Sequence, residues 1–585
     1  MSNEPRSPGK LTRRHFVQGL ASVTCGTAGL VRAGTPISPL GQLEPNGAPV
    51  SLIVAPMSID VTGRSRIASA VNNSVPGPCL RLRQGDVLTA RVTNRLAEAT
   101  SIHWHGLRLP SDQDGVPGLS FRGIAPGATY SYQFPITQSG TYWYHSHSGM
   151  QEQTGLYGPL ILVPRDPEPY QYDRDYVLML SDWTDEDPMA LLSNLKQQSD
   201  YYDYQRRTVA TFVSDADRIG LRAAAADRRM WDQMRMSPTD LTDVTGATYT
   251  FLLNGQPPSA NWTALFNEGE KVRLRFINAA SMTTFDVRIP GLLMTVVAAD
   301  GSDIEPVEVE EFRIGAAETY DVIVQPRGAT AFAIFAQAFD RSGYARATLA
   351  TRAGAVAPVP PLDPRPLRTM ADMGMQMGAA MPAMDISTMD MSKMSMSDMA
   401  AMPLAPDSAP NAEGVDPTRM RGLPSVDHVA THPLSRLAEA GAGLDGNGRR
   451  VLRYSDLRSL QPSSDNRPSQ RDLEFRLTGN MERWVWGFDG RKFSEAGPIR
   501  LRLGERVRFV LVNDTMMEHP IHLHGFLFAL ENGQEGRLPI KHTVNVKPNE
   551  RLSFLFTADT PGHWAFHCHL MLHMDTGMFR TVVVA

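Results

Sequence analysis

Alternating apolar and polar residues recur three times along the 585-residue chain, and each copy begins at a glycine and ends at an asparagine. The copies span residues 85–94, 269–278 and 504–513, and a second shared pattern, rich in aromatic residues, closes each copy. Successive side chains of a β-strand point to opposite faces, so a period of two predicts strands. Three such copies predict an all-β chain of three consecutive β-sandwich domains.

The other segments separate or interrupt these domains. We expect domain 1 at residues 45–166, domain 2 at 170–351 and domain 3 at 469–585. A charged, alanine-rich run within residues 186–240 favours helix, so this region is interpreted as a helical insertion in domain 2. Residues 352–468 are rich in Pro, Ala, Gly, Ser and Met and contain no strand pattern, which predicts a long flexible linker.

Residues 1–34 have the features of a twin-arginine export signal. Arg13 and Arg14 precede a weakly apolar stretch and small residues near Gly34, the order found in such signals. The apolar stretch is too short and too rich in Gly and Thr to span a bilayer, and no later segment is long enough. The sequence therefore predicts a periplasmic protein, exported folded and without a membrane span. Its net charge of -5 gives no support for nucleic-acid binding.

Histidines are concentrated in four short motifs, at residues 103–105, 145–147, 519–524 and 567–573. A His-x-His pair on a strand projects both imidazoles from one face, so four strands can supply eight ligands. Neutral imidazoles suit copper, iron or zinc. The eight predicted ligands are His103, His105, His145, His147, His522, His524, His567 and His569.

These pairs occupy equivalent repeat positions in domains 1 and 3. Counted from the shared asparagine, His103 coincides with His522, and domain 2 has Val287 there. Counted from the closing pattern, domain 2 has residues 334–336 (Ile-Phe-Ala) in place of a His-x-His pair. We therefore expect a metal cluster between domains 1 and 3, with domain 2 as a spacer without metal ligands.

Cys568 lies between His567 and His569, so on a strand its side chain faces the side opposite to theirs. A metal bound to Cys568 would be joined to a second metal centre at the two histidines through a few covalent bonds. His573 and Met578 follow, and one thiolate, imidazoles and a weak axial thioether form the ligand set of blue-copper sites. The sequence therefore predicts that electrons enter on one side of this strand and leave on the other.

The four motifs, in this order and spacing, resemble those of the multicopper oxidases over most of the chain. Residues 107–121, 514–525 and 541–548 add a resemblance to the bacterial copper-resistance branch of that family. The resemblance implies three cupredoxin-like Greek-key β-sandwich domains. It also implies four copper ions (one type 1, one type 2 and two type 3) and the reduction of dioxygen to water.

The resemblance further implies a role for each ligand. The type 1 copper, which receives electrons, would be bound by His519, Cys568, His573 and an axial Met578. The type 2 copper would be bound by His103 and His522, one type 3 copper by His105, His145 and His569, and the other by His147, His524 and His567.

Proton supply is assigned by the same resemblance. Asp114 occupies the position of a family carboxylate near the type 2 site, where it would deliver protons. A turn role for the Asp-Gly pair that it begins is the alternative. Some cuprous oxidases carry an acid directly after the second type 1 histidine, where this chain has Met574.

The predicted linker contains an unusual run of methionines, whereas ordinary linkers are built from Gly, Ser, Pro and Glu. Thioethers are soft, neutral ligands that favour Cu(I), so we interpret the run as a flexible Cu(I) collector. A linker of accidental composition, or Met packing over an apolar surface, is the alternative. The run comprises Met370, Met373, Met375, Met377, Met381, Met384, Met389, Met391, Met394, Met396, Met399 and Met402.

The favoured hypothesis is a periplasmic oxidase that converts Cu(I) to Cu(II) and reduces dioxygen to water. The alternatives are a laccase acting on phenols and a non-catalytic periplasmic protein that sequesters copper. The expected partners are dioxygen, a Cu(I) or phenolic electron donor, and a periplasmic copper chaperone or an outer-membrane protein.

Overall fold

The computed structural model describes residues 40–45, 47–233, 237–369, 412–430 and 432–585. The predicted export signal and the methionine run lie outside these residues. Within them, no helix is both long enough and apolar enough to cross a membrane.

Domain 1 consists of two β-sheets. One sheet has the strand order β1-β4-β9-β8-β6 and the other β3-β2-β5-β7. The strands are β1 (Gln42–Leu43), β2 (Val50–Asp60), β3 (Ser65–Val71), β4 (Cys79–Arg83), β5 (Val87–Asn94), β6 (His103–His105), β7 (Thr129–Pro135), β8 (Gly140–His145) and β9 (Tyr157–Val163).

Domain 2 also has two sheets, with the orders β11-β10-β13-β18-β15-β16 and β12-β20-β19-β14-β17. Its strands are β10 (Arg174–Trp183), β11 (Thr250–Leu253), β12 (Trp262–Leu265), β13 (Val272–Asn278), β14 (Phe285–Arg288), β15 (Met294–Ala299), β16 (Ser302–Val309), β17 (Glu311–Ile314), β18 (Thr319–Val324), β19 (Ala331–Ala338) and β20 (Tyr344–Ala350). Between β10 and β11 the chain forms helices α1 (Pro188–Gln197), α2 (Val209–Ile219) and α3 (Leu221–Gln233). The carboxylate of Asp187 caps α1 by accepting from two backbone N–H groups.

Domain 3 repeats this architecture with the sheet orders β22-β21-β24-β29-β26-β27 and β23-β31-β30-β25-β28. The prediction of three consecutive β-sandwich domains is therefore confirmed. The elements are β21 (Arg471–Asn480), β22 (Val485–Phe488), β23 (Ile499–Leu501), β24 (Arg506–Asn513), β25 (His519–Leu523), β26 (Phe528–Leu530), β27 (Ile540–Lys541), β28 (Thr543–Val546), β29 (Arg551–Thr557), β30 (Gly562–Cys568), α4 (Met571–Thr576) and β31 (Phe579–Val584).

The asparagine that ends each repeat has the same function in all three domains. Asn94, Asn278 and Asn513 are fully buried. Each amide donates to two carbonyls of the chain that follows, and each amide oxygen accepts from a backbone N–H two residues later. Because buried peptide groups need partners, this side chain fixes the loop between two strands. In domains 1 and 3 that loop leads to β6 and β25, which carry histidines.

Strand β13 departs from the half-exposed pattern that its alternation suggests, because every residue in it is buried. Arg273 and Arg275 are buried instead of facing water. Their guanidinium groups pair with Asp321, and Arg275 also donates to the hydroxyl of Thr141 in domain 1. Buried arginines persist only when they are paired, so this network fixes domain 2 against domain 1.

The described parts of the predicted linker are packed, which contradicts the expectation of a flexible segment there. Met420 and Leu457 are fully buried, and Leu437 is nearly so. Single backbone bridges join this segment to domains 2 and 3, including one from Glu413 to Leu473. Pattern reading missed this because the apolar residues are isolated and follow no helix or strand period.

We expect Leu457→Ala to lower the free energy of unfolding by about 2–5 kcal/mol, because it removes a fully buried side chain and leaves a cavity. Leu423→Ala is the matched control, since Leu423 is 37% exposed. Urea denaturation followed by fluorescence measures both variants. Equal, small effects would mean that this segment is a loose linker after all.

Candidate metal centre

Two pairs of neighbouring strands carry the predicted ligands. In domain 1, β6 runs antiparallel to β8, and His103 lies directly opposite His145. In domain 3, β25 runs antiparallel to β30, and His522 lies directly opposite His567. Opposed residues of an antiparallel pair project to the same face, so each pair of strands presents its imidazoles together.

The register of β25 and β30 also separates Cys568 from these histidines. Ile521 lies opposite Cys568, and His519 precedes Ile521 by two residues on the same face of β25. His522 and His567 project from the other face. The two strands therefore carry two different groups of ligands on opposite sides.

Four imidazoles stack in pairs across the boundary between domains 1 and 3. The rings of His103 and His524 lie 3.9 Å apart with an interplanar angle of 28°. The rings of His105 and His522 also lie 3.9 Å apart, at 23°. All four side chains are buried. Neither domain 1 nor domain 3 alone contains both rings of a stacked pair.

The described residues include four groups of histidine and cysteine side chains whose ligand atoms lie within 4.8 Å of one another. Three are imidazole groups: the shared group of His103, His105 and His522, a second group of His105, His145 and His569, and a third group of His147, His524 and His567. The fourth, the Cys568 group, consists of His519, Cys568 and His573. Met578 is buried beside it, and its backbone bonds to Cys568 and His573.

The imidazole groups fit a metal because they leave buried nitrogens without partners. Burial lowers the pKa of the ligand imidazoles His105, His145, His147, His522, His524 and His569 well below the ordinary value, so these rings are neutral. A neutral ring has one nitrogen with a free lone pair. The unpartnered nitrogens are His103 Nε2, His105 Nδ1, His145 Nε2, His522 Nε2 and both nitrogens of His569. A bound metal would satisfy such lone pairs, whose burial is otherwise costly.

The Cys568 group fits a metal by its spacing. The sulfur of Cys568 lies 3.6 Å from His519 Nδ1 and 4.0 Å from His573 Nδ1, and the two nitrogens lie 3.2 Å apart. Ligands about 2.0–2.3 Å from one metal are separated by about 3–4 Å from one another. Burial raises the pKa of the Cys568 thiol, and metal binding is what would favour its thiolate. One thiolate with two imidazoles favours copper.

Asp114 joins the two domains within the imidazole groups. Its carboxylate accepts from Nδ1 of His524 at 2.9 Å, and its backbone carbonyl accepts from Nδ1 of His103 at 2.8 Å. The side chain is buried. These bonds occupy one nitrogen of each ring and leave the other nitrogen directed toward the imidazole groups, where it can bind a metal.

Domain 2 contributes to the Cys568 group, which the prediction of a simple spacer missed. Asp243, in the segment that follows α3, accepts from Nε2 of His573 at 2.9 Å and is buried. No metal ligand of the Cys568 group comes from domain 2, but one of its carboxylates orients a ligand. Asp243 lies outside every motif and far from Cys568 in sequence, so no pattern could have indicated it.

Other functional neighbours also escaped sequence reasoning. Glu152 lies 2.6 Å from Nδ1 of His145, and the ring of Trp486 stacks on His573 at 3.9 Å. His542 contacts Nε2 of His105. Glu152 follows a histidine motif and His542 lies in a stretch used for the family resemblance, so proximity in sequence was the only available signal.

Three family models described as multicopper oxidase match residues 54–167, 174–354 and 466–585. This chain belongs to the multicopper oxidase family. Multicopper oxidases are copper-containing oxidoreductases that use oxygen, so this enzyme has copper as its cofactor, in agreement with the donor set of the Cys568 group.

The relatives of this multicopper oxidase include copper-resistance proteins. It is 51% identical over 618 residues to copper resistance protein A of Pseudomonas syringae pv. tomato, covering 98% of this chain and 99% of that protein. It is 50% identical over 603 residues to copper resistance protein A of Escherichia coli, with 98% and 99% coverage. The structure of a laccase from Botrytis aclada matches with a TM-score of 0.60 and 23% identity, covering 94% of this chain and 88% of that chain. At that identity, the laccase shows the fold alone.

We expect Asp243→Asn to weaken copper binding at the Cys568 group by about 10–100-fold, the usual effect of removing an outer partner of a metal-binding histidine. The visible absorption of the thiolate site during titration with a competing chelator measures this affinity. Asp240→Asn is the control, because no hydrogen bond or ion pair joins Asp240 to His573. Unchanged affinity in Asp243→Asn would show that this carboxylate is dispensable.

Proposed function

We propose that this multicopper oxidase is a periplasmic cuprous oxidase of copper resistance, oxidising Cu(I) and reducing dioxygen to water. The observation that carries the proposal is the strand β30, on which Cys568 belongs to one ligand group and His567 to another. The carbonyl of Cys568 also accepts from Nδ1 of His567 at 2.8 Å. A short covalent and hydrogen-bonded path therefore connects the two sides of the strand.

The proposed ligands follow from the four groups. Copper would accept single electrons at the Cys568 group and reduce dioxygen at the imidazole groups. We assign type 1 copper to His519, Cys568, His573 and Met578, type 2 copper to His103 and His522, and type 3 copper to His105, His145 and His569 and to His147, His524 and His567, four ions in all.

Reduction of dioxygen to two waters also consumes four protons, and the site is buried. Asp114 is the proposed proton carrier, because its carboxylate touches ligand imidazoles from both domains. Met574, where related cuprous oxidases have an acid, is partly buried against the apolar core. Its thioether has no proton to deliver beside His573.

Cu(I) is favoured as the electron donor by a crevice beside the Cys568 group. Asp243 lines this crevice and also bonds to His573, and its second carboxylate oxygen has no hydrogen-bond partner. Thioethers prefer Cu(I), and carboxylates attract a cation. A phenol would instead be expected to use an apolar pocket. The crevice is lined by Ser199, Asp200, Asp203, Asp240, Thr242, Asp243, Met481 and Met517.

The methionine run, which lies outside the described residues, is proposed as a collector of Cu(I) for this crevice. The chain just before it is held at the crevice. Arg365 donates to the carbonyl of Thr239 and pairs with Asp203, and the backbone of Arg368 donates to Pro238. The last described residues before the run therefore lie beside the crevice.

A phenol-oxidising laccase and a non-catalytic copper-sequestering protein are the competing functions.

We also propose twin-arginine export to the periplasm and copper exchange with a periplasmic chaperone or outer-membrane protein. These proposals rest on the N-terminal sequence and on the names of the copper-resistance relatives.

Deletion of residues 370–402, or the double change Asp200→Asn and Asp203→Asn, should lower kcat/KM for Cu(I) about tenfold, as loss of roughly 1.4 kcal/mol of binding would. Oxidation of a phenol should be unaffected, because both changes leave the Cys568 group intact. Oxygen uptake by the copper-loaded protein with each donor measures this. If kcat/KM fell equally for Cu(I) and for the phenol, Cu(I) would have no dedicated site.

Cys568→Ser should abolish the visible absorption and oxygen uptake with every donor, because it removes the thiolate that joins the two sides of β30. Copper tolerance of cells that carry this variant separates catalysis from sequestration. Catalysis predicts that tolerance is lost, whereas sequestration predicts that it persists. Copper content at the imidazole groups provides the control for folding.

A further inference from the structure

His542 is a histidine outside the four motifs that lies against the shared group. Its ring is perpendicular to the stacked rings of His105 and His522, with ring centres 4.7 Å and 5.7 Å away and interplanar angles of 80° and 90°. The side chain is fully buried. It therefore packs against one ligand from domain 1 and one from domain 3.

Hydrogen bonds from residues 542 and 543 occupy one nitrogen of each of these ligands. Nε2 of His105 lies 3.2 Å from Nδ1 of His542 and 3.3 Å from the hydroxyl of Thr543. Nδ1 of His522 donates to the backbone carbonyl of His542 at 2.6 Å and lies 3.3 Å from the same hydroxyl. The remaining nitrogens, His105 Nδ1 and His522 Nε2, have no partner. The bonds thus select which nitrogen of each ring is left for a metal.

Domain 2 holds this pair of residues in place. Oδ2 of Asp300 accepts from the backbone N–H groups of His542 and Thr543 at 3.2 Å and 3.1 Å. The same oxygen forms an ion pair with Lys541 at 3.1 Å, and Lys541 pairs with Glu318 of domain 2 at 3.0 Å. All of these side chains are buried. A buried charge is retained only with such compensation, so the arrangement is fixed.

Gly106, directly after His105, provides the space for the imidazole of His542. A Cβ atom at Gly106 would lie 2.5 Å from Cδ2 of His542, and the backbone φ of Gly106 is +80°. Any larger residue would displace the ring and strain the backbone. The glycine that ends the first histidine motif is thus explained by the ring that packs on it.

We propose that His542, held by Asp300 of domain 2, is a positioning residue that sets the orientation of His105 and His522 and thereby the copper affinity of the shared group. This inference rests on the proposed function, which assigns His522 to type 2 copper and His105 to a type 3 copper. Domain 2 then acts on both kinds of site, through Asp300 here and through Asp243 at the Cys568 group.

The test compares His542→Phe, His542→Asn and Asp300→Asn in the copper-loaded full chain. His542→Phe keeps a ring of similar size but removes the side-chain partner of His105, which is assigned to a type 3 copper, and should weaken copper binding there about 10–100-fold. The backbone carbonyl that accepts from His522 is retained. The copper content per chain and the near-ultraviolet absorption of the type 3 pair report this loss. The visible absorption of the Cys568 group should be unchanged and serves as the check on folding.

His542→Asn places an amide oxygen near the position of Nδ1 and should restore most of the copper content. Asp300→Asn should lower the copper content in the same direction as His542→Phe. It should also weaken the type 2 signal in electron paramagnetic resonance, because Asp300 holds the backbone whose carbonyl accepts from His522. Undiminished copper content and near-ultraviolet absorption in His542→Phe would overturn the inference. Equal losses at the shared group and at the Cys568 group in all three variants would also overturn it, because they would indicate general destabilisation. Absence of a type 2 signal in the unmodified protein would instead refute the proposed function.

Discussion

Neutral imidazoles, held away from water with one nitrogen unpaired, are the arrangement on which the rest of this protein depends. Each ring must be shielded from water, uncharged and oriented so that its unprotonated nitrogen faces the other ligands of its group. Burial provides the first two conditions, because it lowers the pKa of the rings. The third requires a specific acceptor for the other nitrogen. Asp114, Glu152 and the carbonyl of His542 are such acceptors, so the outer residues are as necessary as the ligands.

This requirement changes the interpretation of domain 2. It has apolar residues at the repeat positions that carry ligands elsewhere, and its described residues form no group of metal ligands of their own. It nevertheless reaches the metal groups through Asp243 and Asp300. Its strand β13 is buried on both faces, with Arg275 bonded to domain 1. Domain 2 is thus a support that fixes ring orientation from outside, and this role needs its sheets but no metal ligands of its own.

Sequence reasoning was effective where geometry is local. Strand alternation separates Cys568 from His567, and equal repeat spacing places His103 and His522 at equivalent positions. It was ineffective where contacts join distant segments. Asp243 contacts His573 across 330 residues, and the packing of Leu457 follows no period. Such contacts depend on how whole domains are arranged, and one sequence carries no pattern for that arrangement.

Every imidazole group combines residues of domain 1 with residues of domain 3, as in the contact between His147 and His567 across 420 residues. A ribosome-bound nascent chain therefore has no complete group until almost all of it has been synthesised. Copper cannot serve as a template for early folding, and prematurely terminated chains have no functional site. Biogenesis is thereby ordered, with the protein fold assembled first and metal acquired afterwards.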